Sequence, residues 1–158
     1  MDKIQRNKIM KLSSRSDYAA KAMLELSTTP DKPVNLAYLA QVEDISISYL
    51  EQIFSLLRKH GLVKSVRGPG GGYILSKPMS EITIGDIVRA IDMNRKSKKI
   101  EHAEKYTDPS YQPASQKMWE QLSTMVYDYL NTISLADVHN TSKQQIEHER
   151  ESSETQAA

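Results

Sequence analysis

The stretch EDISISYLEQIFSLLRKHGLVKSVRGPGGGYIL, residues 43–75, decides the fold. Its first half sets Leu50, Ile53, Phe54 and Leu57 at steps of three and four, the repeat of a helix with one buried face. The pattern predicts a start at a Ser48-x-x-Glu51 capping box and a stop at Gly61, just past Lys59 and His60. The outer face carries Ser48, Tyr49, Glu51, Gln52 and Ser55, with Arg58 and Lys59 at the end. These groups can donate to or accept from base edges and phosphates, although a merely solvated polar side would look the same in isolation. The second half tilts the balance. Leu62 to Arg67 is strand-like, Gly68-Pro69-Gly70-Gly71-Gly72 is a turn, and Tyr73-Ile74-Leu75 is a second strand. A hairpin with so bare a tip brings its backbone close to a narrow groove, and Arg67 at its base suits a minor groove or a phosphate.

Upstream, Tyr18, Ala19, Ala22, Met23 and Leu26 recur at helical spacing from Ser14 to about Ser27, and Thr28, Thr29 and Pro30 supply a stop. Asn35 caps a short helix whose Leu36, Leu39 and Ala40 form an apolar stripe as far as Val42. Two helices followed after a tight turn by a third have the spacing of a helix-turn-helix, with the third as the reading helix and the hairpin as its wing. Ser46, in the turn, joins the candidate contacts.

Downstream, Thr83 and Asp86 open a helix with Ile84, Ile87, Val88 and Ile91 on one face. Periodicity is lost over 93–115, a long loop. From about Ser115 to Thr132, Met118, Leu122, Met125 and Tyr129 alternate in steps of four and three, and Trp119, Val126, Leu130 and Ile133 widen the stripe. So broad an apolar face must bury against something, and a second copy of the chain is the favoured occupant. The final stretch has too few apolar residues to order itself.

The expected fold class is mainly α, a winged helix-turn-helix with a small β-hairpin wing and a long C-terminal dimerisation helix. The segments are a flexible extension over 1–9, the DNA-binding domain over 10–92, the long loop over 93–115, the dimerisation helix over 116–138 and a disordered tail over 139–158. Translation starts at either Met1 or Met10.

Composition narrows the function. The 158 residues include no cysteine, which removes thiolate catalysis, disulfides and Cys-ligated zinc or iron-sulfur sites. Net charge is +1, divided as +5 over residues 1–80, +2 over 81–100 and −6 over 101–158. A basic first half suits a nucleic-acid partner. No run approaches the roughly 20 apolar residues of a membrane span, and the polar start MDKIQRNKI lacks a secretory core, so a cytoplasmic protein with no membrane partner is expected. The glycine turn fails as a nucleotide site. A P-loop needs Lys then Ser or Thr where Tyr73 and Ile74 stand, and a dinucleotide fingerprint needs a glycine at Tyr73 and a helix after it. With no HExxH and with His60, His102, His139 and His148 scattered, no enzyme and no metal site is expected, and His102 beside Glu101 and Glu104 reads as surface.

On these residues the chain resembles the IscR-type family of winged-helix regulators (the Rrf-two superfamily), bacterial transcription factors that act as dimers. The matching stretches are MKLSSRSDYA over 10–19, ISYLEQIF over 47–54 and GLVKSVRGPGGGY over 61–73, and the likeness runs from about Met10 to Val138. The resemblance implies that Ser48, Tyr49 and Glu51 face the major groove, that Arg67 and the tip with Gly68, Gly70 and Gly71 meet the minor groove, and that Ser14, Arg15 and Tyr18 touch the DNA backbone. Many relatives hold a [2Fe-2S] cluster through three cysteines and a histidine in the loop before the long helix. Here the corresponding places fall near Ile100 or Glu101, Thr107, Pro113 and Gln116, none of which is a thiolate. The reading is a dimeric regulator of promoter DNA that keeps the scaffold and lacks the cluster, acting constitutively or on another effector. A protein-protein interaction module built on the same scaffold is the alternative.

Overall fold

The computed structural model describes residues 13–92 and 114–144. Helix α1, Ser14–Thr28, starts where the Ser13 hydroxyl accepts from the Ser16 amide, and it buries Ala19, Ala22, Met23 and Leu26. Helix α2, Leu36–Glu43, is capped by Asn35, whose side chain accepts from Tyr38 N at 2.7 Å. It ends at Asp44, a non-glycine residue in the left-handed region with φ 51°, a conformation that Asp tolerates better than most.

That turn resets the start of α3, Ile47–Lys59. Its cap is Ser46, not Ser48. Ser46 has extended backbone and its Oγ accepts from Tyr49 N at 3.3 Å, which leaves Ser48 inside the first turn. The reason lies one residue earlier, where Ile45 packs against the core at the position of a hydrophobic staple and fixes how the chain enters the helix. At the other end, Gly61 N donates to Arg58 O at 3.0 Å and Leu62 N to Leu57 O at 2.9 Å, the paired bonds of a Schellman stop.

Strands β1, Val63–Val66, and β2, Gly72–Leu75, pair antiparallel, with Val63 opposite Leu75 and Val66 opposite Gly72. The hairpin is not free-standing. Val34, between α1 and α2, donates to Tyr73 O at 3.0 Å and accepts from Tyr73 N at 2.9 Å, an isolated antiparallel bridge that ties β2 to the α1–α2 connection. The Tyr73 ring lies 4.7 Å from that of Phe54, so the wing is also seated on α3.

After a short 3-10 turn, Met79–Glu81, helix α4 covers 84–92. The expected Thr83 and Asp86 box is formed in both directions, at 3.0 and 3.1 Å. Helix α5, Ala114–Asn131, agrees with the apolar repeat from about Ser115 to Thr132, and a sixth helix, α6, covers 135–144. Two findings correct the single helix over 116–138 and the tail starting at 139. Ser134 and Asp137 form a second capping box, and Leu135 is fully buried, so burial and capping start a new helix there. The two boxes sit in similar local sequences, ITIGDIV over 82–88 and ISLADVH over 133–139. They pair with each other, Ile84 N donating to Ile133 O at 2.8 Å and Leu135 N to Ile82 O at 2.9 Å. The extension over 1–9, nearly all of the loop over 93–115 and residues 145–158 of the tail lie outside the described residues.

A Cβ on Gly72 would stand 2.3 Å from Val34 O. Gly72→Ala therefore forces the wing off its bridge to Val34 and is expected to lower stability by about 1–3 kcal/mol, read as a shifted urea midpoint.

Candidate nucleic-acid interface

Helix α3 buries one face and exposes the other, with Ile47 an exposed apolar residue at its start. Leu50, Ile53, Phe54, Leu56 and Leu57 are buried, while Ser48, Glu51, Gln52, Ser55, Arg58 and Lys59 are exposed. The first turn therefore presents hydroxyl and carboxylate groups, the middle an amide and the last turn two cations. Ser46 is exposed as well, its Oγ 3.5 Å from that of Ser48.

Tyr49 is placed differently from its neighbours. It is half-buried and meets Tyr18 of α1 edge to face, the rings 6.1 Å apart and at 89°. The Arg15 guanidinium stands 6.0 Å from the Tyr49 ring. This geometry lets Tyr49 brace α1 against α3. The Arg15 Nε is buried with no hydrogen-bond partner, a cost that an anion beside the guanidinium would relieve. Ser14 is exposed at the start of α1, next to the Ser13 cap. Lys21, in contrast, is engaged by Asp17 at 3.1 Å, and that contact raises its pKa.

At the wing, Arg67, Gly68 and Gly70 are exposed and Gly71 is half-buried. Gly68 and Gly70 have φ of 104° and 74°, so side chains are disfavoured at the tip and the backbone stays uncovered. Exposed Lys64 on β1 adds a cation that sequence reasoning did not single out. An alternating strand pattern would have placed it outward.

The residues expected to dimerise fall on one side of α5. Met118, Met125 and Tyr129 are 52%, 70% and 67% exposed, and Trp119 is 59% exposed. Leu122 is half-buried, and Tyr127 and Leu130 pack inward on the core. Among the described residues no group of three His, Cys, Asp or Glu side chains gathers to hold a metal ion, and no helix is long and apolar enough to cross a membrane. The expected surface cluster at His102 lies outside the described residues.

Residues 12–141 match the family model Rrf2, described as "Iron-dependent Transcriptional regulator". The chain belongs to the Rrf2 family. It is 42% identical over 132 residues to a putative HTH-type transcriptional regulator of Haemophilus influenzae, covering 83% of this chain and 87% of that one. It is 38% identical over 147 residues to the HTH-type transcriptional regulator IscR of Serratia proteamaculans, covering 92% and 89%. Among solved structures, IscR of T. potens superposes with a TM-score of 0.67 at 32% identity, over 85% of this chain and 90% of that one. CymR of B. subtilis, described as a global cysteine regulator, gives 0.63 at 32%, over 83% and 97%. Rrf2 membership makes the chain a transcriptional regulator of the winged helix-turn-helix class rather than an enzyme.

The Tyr18 and Tyr49 pair is the contact that ties α1 to α3 at this surface. A double-mutant cycle of Tyr18→Ala and Tyr49→Ala, followed by urea unfolding, is expected to give a coupling of about 0.5–1.5 kcal/mol. Full additivity would show that the rings do not interact in solution.

Proposed function

We propose that this Rrf2 protein controls transcription as a homodimer on promoter DNA, without a cysteine-held iron-sulfur cluster. The observation that carries the reading is the pairing of an exposed polar face on α3 with a bare, cation-flanked wing packed on that helix through Phe54 and Tyr73. In this reading the cap Ser46 and Ser48, Glu51 and Gln52 of α3 reach base edges in the major groove, and Tyr49 sets the helix while reaching the rim. Arg67 enters the adjacent minor groove, where the tip at Gly68, Gly70 and Gly71 lets the backbone come close. Ser14, Arg15 and Tyr18 hold the phosphate backbone, Arg15 meeting a phosphate with its unpartnered Nε. DNA as the target places the protein in the cytoplasm of a bacterial cell.

The second copy covers α5. Met118, Trp119, Met125 and Tyr129 present large apolar side chains to solvent in a single chain, and a two-fold pairing of the stripe, with Leu122 at its centre, removes them from water. A two-fold dimer then matches a palindromic site, one α3 to each half-site. The family description is iron-dependent, and the family resemblance implies a cluster held by cysteines. The donor set here does not fit that group, because the sequence contains no cysteine at all. Regulation runs on another signal or on protein abundance.

Fluorescence anisotropy against the chain's own upstream promoter and a scrambled duplex, across salt, tests the DNA reading. Preference for the promoter at physiological salt is expected, unchanged by ferrous iron and sulfide. Arg67→Ala should weaken binding and flatten the log-log salt slope by about 1. Equal weak binding to both duplexes would sink the reading. For the dimer, Met125→Glu puts a charge in the middle of the stripe and is expected to yield monomers by sedimentation while the melting curve of the isolated fold persists. A native chain already monomeric at micromolar concentration would rule the dimer out.

A further inference from the structure

One polar chain in the molecule is used by neither the reading helix nor the wing. Ser16 of α1 is fully buried, and its hydroxyl lies 2.9 Å from the Ser13 cap and donates to Asp92 Oδ1 at 3.5 Å. The other carboxylate oxygen, Oδ2, accepts from the Tyr127 hydroxyl of α5 at 3.4 Å. Both distances to the carboxylate are long, so each bond is weak alone, and the negative charge on the acceptor is what makes the pair count. Arg89, on the preceding turn of α4, stands 6.0 Å from the Tyr127 ring and gives α4 a second hold on α5. Burial first, and the Asp92 charge after it, raise the Tyr127 pKa.

Asp92 also has an electrostatic reason to face α1, because its Oδ1 is aimed at the first turn of that helix, where a negative charge is favoured. An acid on α4 that is held by two other helices is suited to fixing how those two sit.

We propose that Asp92 is a positioning residue that couples the DNA-facing first turn of α1 to the dimer-forming helix α5. The first turn of α1 carries Ser14 and Arg15, and α5 carries the apolar stripe, so one carboxylate joins the two binding surfaces. By linkage, whatever DNA does to the seat of α1 is felt in α5, and dimer contact on α5 in turn favours the α1 seat that binds DNA. The inference rests on the DNA-binding and dimer readings above.

Promoter affinity of the full chain is compared for the native protein, Asp92→Ala, Asp92→Asn, Tyr127→Phe and the Asp92→Ala/Tyr127→Phe double variant, with melting temperature and dimer fraction recorded for each. Tyr127→Phe removes one hydroxyl and keeps the ring under Arg89, so it preserves the fold if Asp92→Ala does not. It is expected to weaken promoter binding by roughly three-fold or more. The double variant is expected to bind no more weakly than Asp92→Ala, and Asp92→Asn, which keeps one acceptor, to fall between native and Asp92→Ala. Native affinity in Tyr127→Phe, or losses that simply multiply in the double variant, would overturn the coupling while leaving the DNA-binding reading intact. A native chain that prefers neither duplex overturns both.

Discussion

Leu50, Ile53, Phe54, Leu56 and Leu57 on the inner face of α3 join one continuous core with α1, α2 and the start of the wing. Burying such side chains contributes about 1.5–3 kcal/mol each as an upper figure, so this face alone is comparable with the roughly 5–15 kcal/mol by which a domain is stable. The consequence is geometric. With the inner face pinned, the outer residues Ser48, Glu51, Gln52 and Ser55 have a fixed orientation, and a helix that cannot roll can present the same groups to every DNA site. Phe54 extends this constraint to the hairpin through Tyr73, and Val34 closes it from the α1–α2 connection. The reading helix and wing are therefore one rigid unit, which limits the entropy lost when both engage a duplex.

Around that unit, helix ends are set by serine, threonine, asparagine and aspartate caps at Ser13, Asn35, Ser46, Thr83 and Ser134. Each satisfies amides that would otherwise need water, and each is worth about 1 kcal/mol. Asp137 shows the electrostatic side of this. The Ser134 hydroxyl and amide both donate to it and hold its pKa below the ordinary value, so its contribution is present above the unfolded pKa and fades as pH falls through the lowered one.

The sequence made legible what is local. Helices α1 to α3, the Asn35 cap, the stop at Gly61, the hairpin and the Thr83 box follow from spacing and turn chemistry within a few residues. The outward face of α3 was legible for the same reason, since burial of Leu50, Ile53 and Leu57 dictates where Ser48 and Gln52 point. Where two local signals compete, tertiary packing decided. Ser46 and Ser48 are equally good caps, and the burial of Ile45 selected the first. The separate helix α6 was hidden because Leu130 and Ile133 continue the apolar stripe and no glycine or proline interrupts it, while the pairing that divides α6 from α5 comes from Ile82 and Ile84, some fifty residues away in sequence. Tyr49 read as an outward residue, but its contact with Tyr18 crosses between helices. Asp92 gave no signal, since a lone acid on a helix resembles any solvated surface group.

The join between α4 and α5 bears on what a chain of this family needs in order to fold. A metal cluster can contribute folding free energy by clamping the segments that ligate it. In this chain the two flanks of residues 93–113 are already held together by protein contacts. Ile84 N and Leu135 N bond across to Ile133 O and Ile82 O, Arg89 stacks toward Tyr127, and Asp92 accepts from Tyr127. Ile82, Ile87, Ile91 and Leu135 are fully buried beneath that join. The relative placement of the two helices therefore follows from hydrogen bonds and apolar burial among these residues, none of which is a cysteine. A scaffold fixed in this way needs no thiolate to hold the seat of α1 or the exposed stripe of α5.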